Sequence, residues 1–160
     1  MDAGIPFAIG APIGPSAWVQ LTQAMIDRFG EVTLDPDPMH IDPDWARAHS
    51  PFGGTIAYGF QTMSMLTHLL YSAAGEAKKD DPARFGSFIN YGMNRVRLIN
   101  PVPADSRIRA TFTPASTRSD DRGRQIVVFD CVVERENSDR PALVGEWVSL
   151  WLPPESKVGQ

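Results

Sequence analysis

The sequence predicts an α+β fold in which a curved antiparallel sheet wraps around one long central helix. Three observations lead there. Apolar residues recur at helical spacing early in the chain, residues 58–74 form an apolar run of helical length, and beyond them the hydrophobic period becomes that of strands. The 160 residues are read as one domain, 1–160, long enough to bury a core of its own.

The elements follow in order. The glycines and prolines of the first fifteen residues predict an irregular or edge-strand start. In TQAMIDRFGEV, Met25, Ile26, Phe29 and Val32 lie at helical spacing, with Thr22 placed as N-cap. Asp35 and Asp37 each precede a proline, which excludes comfortable helical angles, so this helix ends by about Leu34. A short helix is expected in DPDWARAHS, where Asp42 is a good N-cap, Pro43 suits the first helical position and Asp44 favours the positive helix end. After the loop SPFGG, a long helix runs from about Tyr58 to Ala74, apolar around much of its circumference and therefore wrapped by other structure. GEAKKDDPAR reads as a solvated linker. Four strand-like runs follow, GSFINYGMNRVRLI, DSRIRATFTPAS, RQIVVFDCVVERE and PALVGEWVSLWL, divided by polar turns such as SDDRGR and NSDR. Helices first, then an antiparallel meander with one apolar helix to cover, is the demand that the hot-dog arrangement meets. Its sheet has edges, and pairing with a second copy removes one.

Composition narrows the function. A net charge of −4 without a basic run argues against nucleic acid as the main partner, because phosphate binding needs clustered positive charge. The single cysteine, Cys131, excludes an intrachain disulfide and a cysteine-based zinc site, and within VVFDCVVE it reads as core filler. The N-terminus has neither a basic start nor a continuous apolar stretch, so no export signal is expected. Gln61, Ser64, Thr67 and His68 interrupt the apolar region near residues 56–74, which predicts a buried helix and no membrane span. A reduced, cytoplasmic protein is the expectation.

Residues 35–60, DPDPMHIDPDWARAHSPFGGTIAYGF, crowd carboxylates and imidazoles between rigid prolines. Asp35 and His40 can hold a water, remove its proton and return a proton elsewhere. Pro36 and Pro38 stiffen the chain between them. Extended, the pair would lie up to roughly 16 Å apart, so the chain must bend near Pro38 and Met39. The same residues also fit a rigid turn with a capping aspartate and a satisfied histidine. Gly59 opens the long helix, where a backbone N–H without a partner can stabilise an enolate-like oxygen by roughly 3 kcal/mol. Equally, Gly59 fits tight packing beneath another helix. His49 and His68 read as structural, Trp18, Trp45, Trp147 and Trp151 as core or interface, and Arg95 and Arg97 as a solvated face. A metal reading of Asp35, Asp37, His40 and Asp42 lacks the glycine that hard-cation loops use, and no second ligand cluster follows, so no metal is expected.

FGEVTLDPDPMHIDPDWARAHSPFGGTIAYGFQTMSML resembles the hydratase signature of the MaoC-like dehydratases, the (R)-specific enoyl-CoA hydratases, and INYGMNRVRLINPVPADSRIRA resembles the strand and hairpin that follow in that family. In detail the chain looks closest to the single-domain branch of nodulation-protein-N-like and mycobacterial 3-hydroxyacyl-thioester dehydratases. The resemblance implies a hot-dog fold, usually a homodimer, that hydrates trans-2-enoyl-CoA to (R)-3-hydroxyacyl-CoA and runs in reverse, in fatty acid metabolism. Asp35 and His40 take the catalytic positions and Gly59 the oxyanion position. Phe60, Met63, Met65 and Tyr58 would contact the substrate, a CoA or acyl-carrier thioester, and no metal or redox cofactor is implied.

Three positions depart from the family pattern. Asp37 replaces an asparagine, adding negative charge close to Asp35 and bearing on the working pH. Tyr58 replaces a histidine, which should alter pocket shape and leave the chemistry. Asp105 replaces the hairpin glycine, at a site that tolerates left-handed angles. The competing activities are a hot-dog acyl-CoA thioesterase, which would release free thiol, and a non-catalytic hot-dog subunit of a larger complex.

Overall fold

A computed structural model describes residues 5–75, 86–121 and 124–153. Its organisation follows from alternation in the second half of the chain. Strands β2 (Ser87–Leu98), β3 (Arg107–Ser119), β4 (Gln125–Arg135) and β5 (Leu143–Leu152) occupy the four predicted runs. With β1 (Val19–Gln20) they form one five-stranded antiparallel sheet in the order β1-β3-β4-β5-β2. Along β3, Ile108, Ala110, Phe112 and Pro114 turn inward, and from β4 Phe129, Cys131 and Val133 do the same. Alternation at period two gives the sheet one buried face. Register shifts between Asn90 and Gly92, Asn94 and Arg97, and Pro114 and Ser116 add bulges, which bend the strands and curl the sheet.

The helices come before the meander. Helix α1 (Gln23–Thr33) begins at Thr22, whose hydroxyl accepts from the Met25 N–H at 3.3 Å, and ends at Leu34 in the left-handed conformation. A single turn, α2 (Pro38–Ile41), is followed by α3 (Pro43–His49), capped by Asp42 as expected. The expected long helix from Tyr58 to Ala74 is instead two segments, α4 (Gly59–Ser64) and α5 (Leu66–Ala73), meeting at Met65. The reason is local. The Thr62 hydroxyl donates to the Tyr58 carbonyl and the Ser64 hydroxyl to the Gln61 carbonyl, and such back-bonding bends helices.

Leu66, Leu69 and Leu70 of α4–α5 face the sheet and are buried with Phe112, Phe129 and Trp147. Phe129 and Trp147 stack at 5.6 Å, and burying each such side chain is worth on the order of 2 kcal/mol. Trp151 joins this core, whereas Trp45 lies at the surface against His49 and Trp18 lies under the Arg109 guanidinium at 4.5 Å. His68 is exposed, as are Arg95 and Arg97. Among the described residues no helix is long and apolar enough to cross a membrane. The predicted linker falls almost wholly on residues 76–84, outside the described residues.

Candidate active site

The bend that the Asp35 to His40 spacing requires is the turn α2. Asp37 is its N-cap, accepting from the Met39 N–H at 2.8 Å, and Pro38 occupies the first helical position. Preceding it, the left-handed Leu34 redirects the chain, and the Asp35 N–H returns to the Gly30 carbonyl at 3.0 Å. His40 thus rides on a capped turn, and Asp35 lies in the link between two helices.

Two contacts orient the imidazole. His40 Nδ1 lies 2.7 Å from the Ile56 carbonyl oxygen. A carbonyl only accepts, so Nδ1 carries the proton and Nε2 of the neutral ring holds a lone pair. The ring also lies against Tyr58, with centroids 3.8 Å apart. Behind it, Gln23 donates to the His40 carbonyl at 2.8 Å and accepts from the Thr55 hydroxyl at 2.5 Å. One amide side chain of α1 thereby ties His40 to the loop that leads into α4.

Gly59 is the first residue of α4, where N–H groups have no intrahelical partner and the helix dipole is positive. A Cβ there would collide with the Leu98 side chain, so the absence of one lets β2 close over the helix start. His40 and Gly59 line one cavity of about 210 Å³ with Ile56, Thr62, Leu98 and Asn100. It holds an imidazole with a free nitrogen, a helix N-terminus and apolar walls, a set suited to moving a proton beside a carbonyl that gains negative charge.

Asp35 is placed differently. Its carboxylate is exposed, accepts no hydrogen bond from the described residues, and is not part of the cavity wall. It is its carbonyl that is anchored, by the Tyr58 hydroxyl at 2.5 Å. Tyr58 is only 5% exposed and lines neither this cavity nor the groove described next. Burial, and then the negative charges of Asp35, Asp37 and Asp27, push the Tyr58 hydroxyl above its ordinary range.

Phe60 and Met63 line a second, open groove of about 390 Å³ between α4 and β2, with Tyr91, Met93 and Trp147. Phe60 is 73% exposed. Met65, at the break between α4 and α5, lines neither space and packs against the core. Asp37 and Asp42 both use carboxylate oxygens to cap helices, and among the described residues no three His, Cys, Asp or Glu side chains converge as a metal site. Sequence reasoning missed Gln23 and Gly30. A Cβ on Gly30 would collide with the Tyr58 hydroxyl, and nothing in either residue's local pattern marks these long-range contacts.

Comparison with known proteins covers most of the chain. Residues 6–135 match the MaoC like domain. Nodulation protein N of Rhizobium leguminosarum bv. viciae is 34% identical over 148 residues, 92% of this chain and 89% of that protein. The 3-hydroxyacyl-thioester dehydratase Z of Mycobacterium tuberculosis (strain H37Rv) is 37% identical over 153 residues, 94% of this chain and 95% of the other. Among solved structures, an (R)-hydratase from A. caviae involved in PHA biosynthesis superposes with a TM-score of 0.71 at 19% identity, covering 92% of this chain and 98% of that one.

Proposed function

The chain belongs to the MaoC-like dehydratase family, and on that footing we propose that it is a lyase of acyl thioesters. It adds water to trans-2-enoyl-CoA to give (R)-3-hydroxyacyl-CoA, and catalyses the reverse dehydration. The observation that carries this is the shared cavity of His40 and Gly59, with the imidazole tautomer set by Ile56.

In the hydration direction, a water is held on His40 Nε2 and shared with the Asp35 carboxylate, which must rotate in from its exposed position on the link between α1 and α2. Its oxygen adds at C3 as a proton passes to C2 from the same side. Negative charge gathers on the thioester oxygen, which meets the Gly59 N–H at the positive end of α4. Because the thioester itself acidifies the C2 proton, the reaction needs neither metal nor redox cofactor. The acyl tail runs toward the apolar groove of Phe60 and Met63. CoA or an acyl-carrier thioester serves as the substrate handle, a homodimer is the working form, and the free thiol of Cys131 suits the cytoplasm.

The test is loss of conjugated-enoyl absorbance with crotonyl-CoA and longer trans-2-enoyl-CoAs, followed together with free thiol. Expected is rapid loss without thiol release, with turnover lowered at least about a hundredfold in both Asp35→Asn and His40→Gln. Hydration that survives both substitutions sinks the assignment, and stoichiometric thiol release makes the protein a thioesterase.

A further inference from the structure

We propose that Tyr58 is a positioning residue that locks Asp35, His40 and Gly59 into one rigid unit; this rests on the catalytic reading of those three. Three contacts of one residue carry the proposal. The Tyr58 hydroxyl holds the Asp35 carbonyl at 2.5 Å, its ring lies 3.8 Å from the His40 ring, and its main chain is the N-cap residue directly before Gly59. Phe29 of α1 backs the ring at 5.2 Å. Among the hydrogen bonds and ring contacts of the described residues, Tyr58 is the side chain that reaches both Asp35 and His40.

Two features say that this residue acts through its neighbours and not on substrate. It lines neither cavity, and its proton is already committed to a backbone carbonyl. Its hydroxyl is also pushed upward by burial and nearby carboxylates, which suits a fixed donor and not an acid that releases protons near neutrality. Gly30 completes the device, since any side chain there would strike the phenol oxygen. The link from Leu34 to Asp37 is otherwise exposed, with a left-handed residue at its start. Without the phenol the only described anchor of Asp35 is its own N–H on Gly30. Small displacements of a catalytic group are costly, about a hundredfold for 1 Å.

Tyr58→Phe keeps the ring against His40 and deletes only the hold on Asp35. In the 160-residue chain, hydration of crotonyl-CoA should lose roughly tenfold to a hundredfold in kcat, with KM changed less than about twofold. A purely structural role would move melting temperature and leave kcat per folded molecule alone. Gly30→Ala is the second variant, and should lower both kcat and melting temperature. Adding Tyr58→Phe to it should restore much of the melting temperature, since the colliding oxygen is gone, and none of the kcat. Asp35→Asn is measured in parallel. If Asp35→Asn is inactive while Tyr58→Phe turns over at the wild-type rate, the positioning role is overturned and the catalytic reading stands. If Asp35→Asn hydrates normally, both fall.

Discussion

Cys131 shows how far a single residue can be taken from its surroundings. It sits in the middle of β4, 2% exposed, and burial pushes its thiol up to about 12. The unfolded chain releases that proton near 8.5. Between about pH 8.5 and 12 the native state therefore binds the extra proton, and rising pH favours unfolding. Stability from this group is complete below about pH 8.5 and is lost toward pH 12; Tyr58, raised in the same direction, adds to the loss above its ordinary value of about 10. Urea midpoints measured between about pH 8 and pH 10 should fall more steeply for the wild type than for Cys131→Val. Parallel slopes would show that the thiol is not held neutral. The same residue marks what was readable at this scale. An alternating apolar stretch identifies Cys131 as core, and residue types with short spacing nominate Asp35, His40 and Gly59. The roles of Tyr58, Gly30 and Gln23 could not be read this way, because each depends on a contact with a residue distant in the chain.

At the scale of elements, capping chemistry was legible and helix continuity was not. Thr22 and Asp42 start helices where their side chains predict. The turn α2 lies where the Asp35 to His40 spacing demands a bend, yet four residues are too few for periodicity to mark as a helix. The break at Met65 comes from two hydroxyls bonding back to carbonyls, inside a run whose apolar pattern continues across it. The cap on α2 also explains a residue that looked like an electrostatic oddity. Asp37 uses its carboxylate to hold the Met39 N–H, a task that asparagine performs equally well. Asp37→Asn should therefore keep both stability and turnover. Asp37→Ala should cost about 1 kcal/mol and lower turnover, since His40 rides on the turn that loses its cap. Denaturant midpoints and enoyl-CoA hydration by the two variants check this, and equal behaviour of the Ala and Asn forms would remove the cap from the argument.

For the whole molecule, the antiparallel meander was legible because β3, β4 and β5 pair with their neighbours in sequence. The place of β2 beside β5 was not, since that pairing joins the first long strand to the last. It matters for function, because it leaves β2, twelve residues long, as an edge strand whose outer side meets no described strand. Ile89 and Tyr91 of β2 are exposed, and Phe60 of α4 stands out beside them across the open groove. A long, exposed and apolar edge invites pairing with another chain. A second copy bringing its own β2 would cover the edge and the groove together, under a two-fold axis. The protein should then run at twice its 17.6 kDa in sedimentation. Tyr91→Lys, a charge on that edge, should shift it toward the single-chain mass. Turnover should fall along with mass, because the groove proposed to receive the acyl tail would lie open to water. A wild-type protein that sediments as a single chain while hydrating enoyl-CoA at full rate would show that one copy closes its own site.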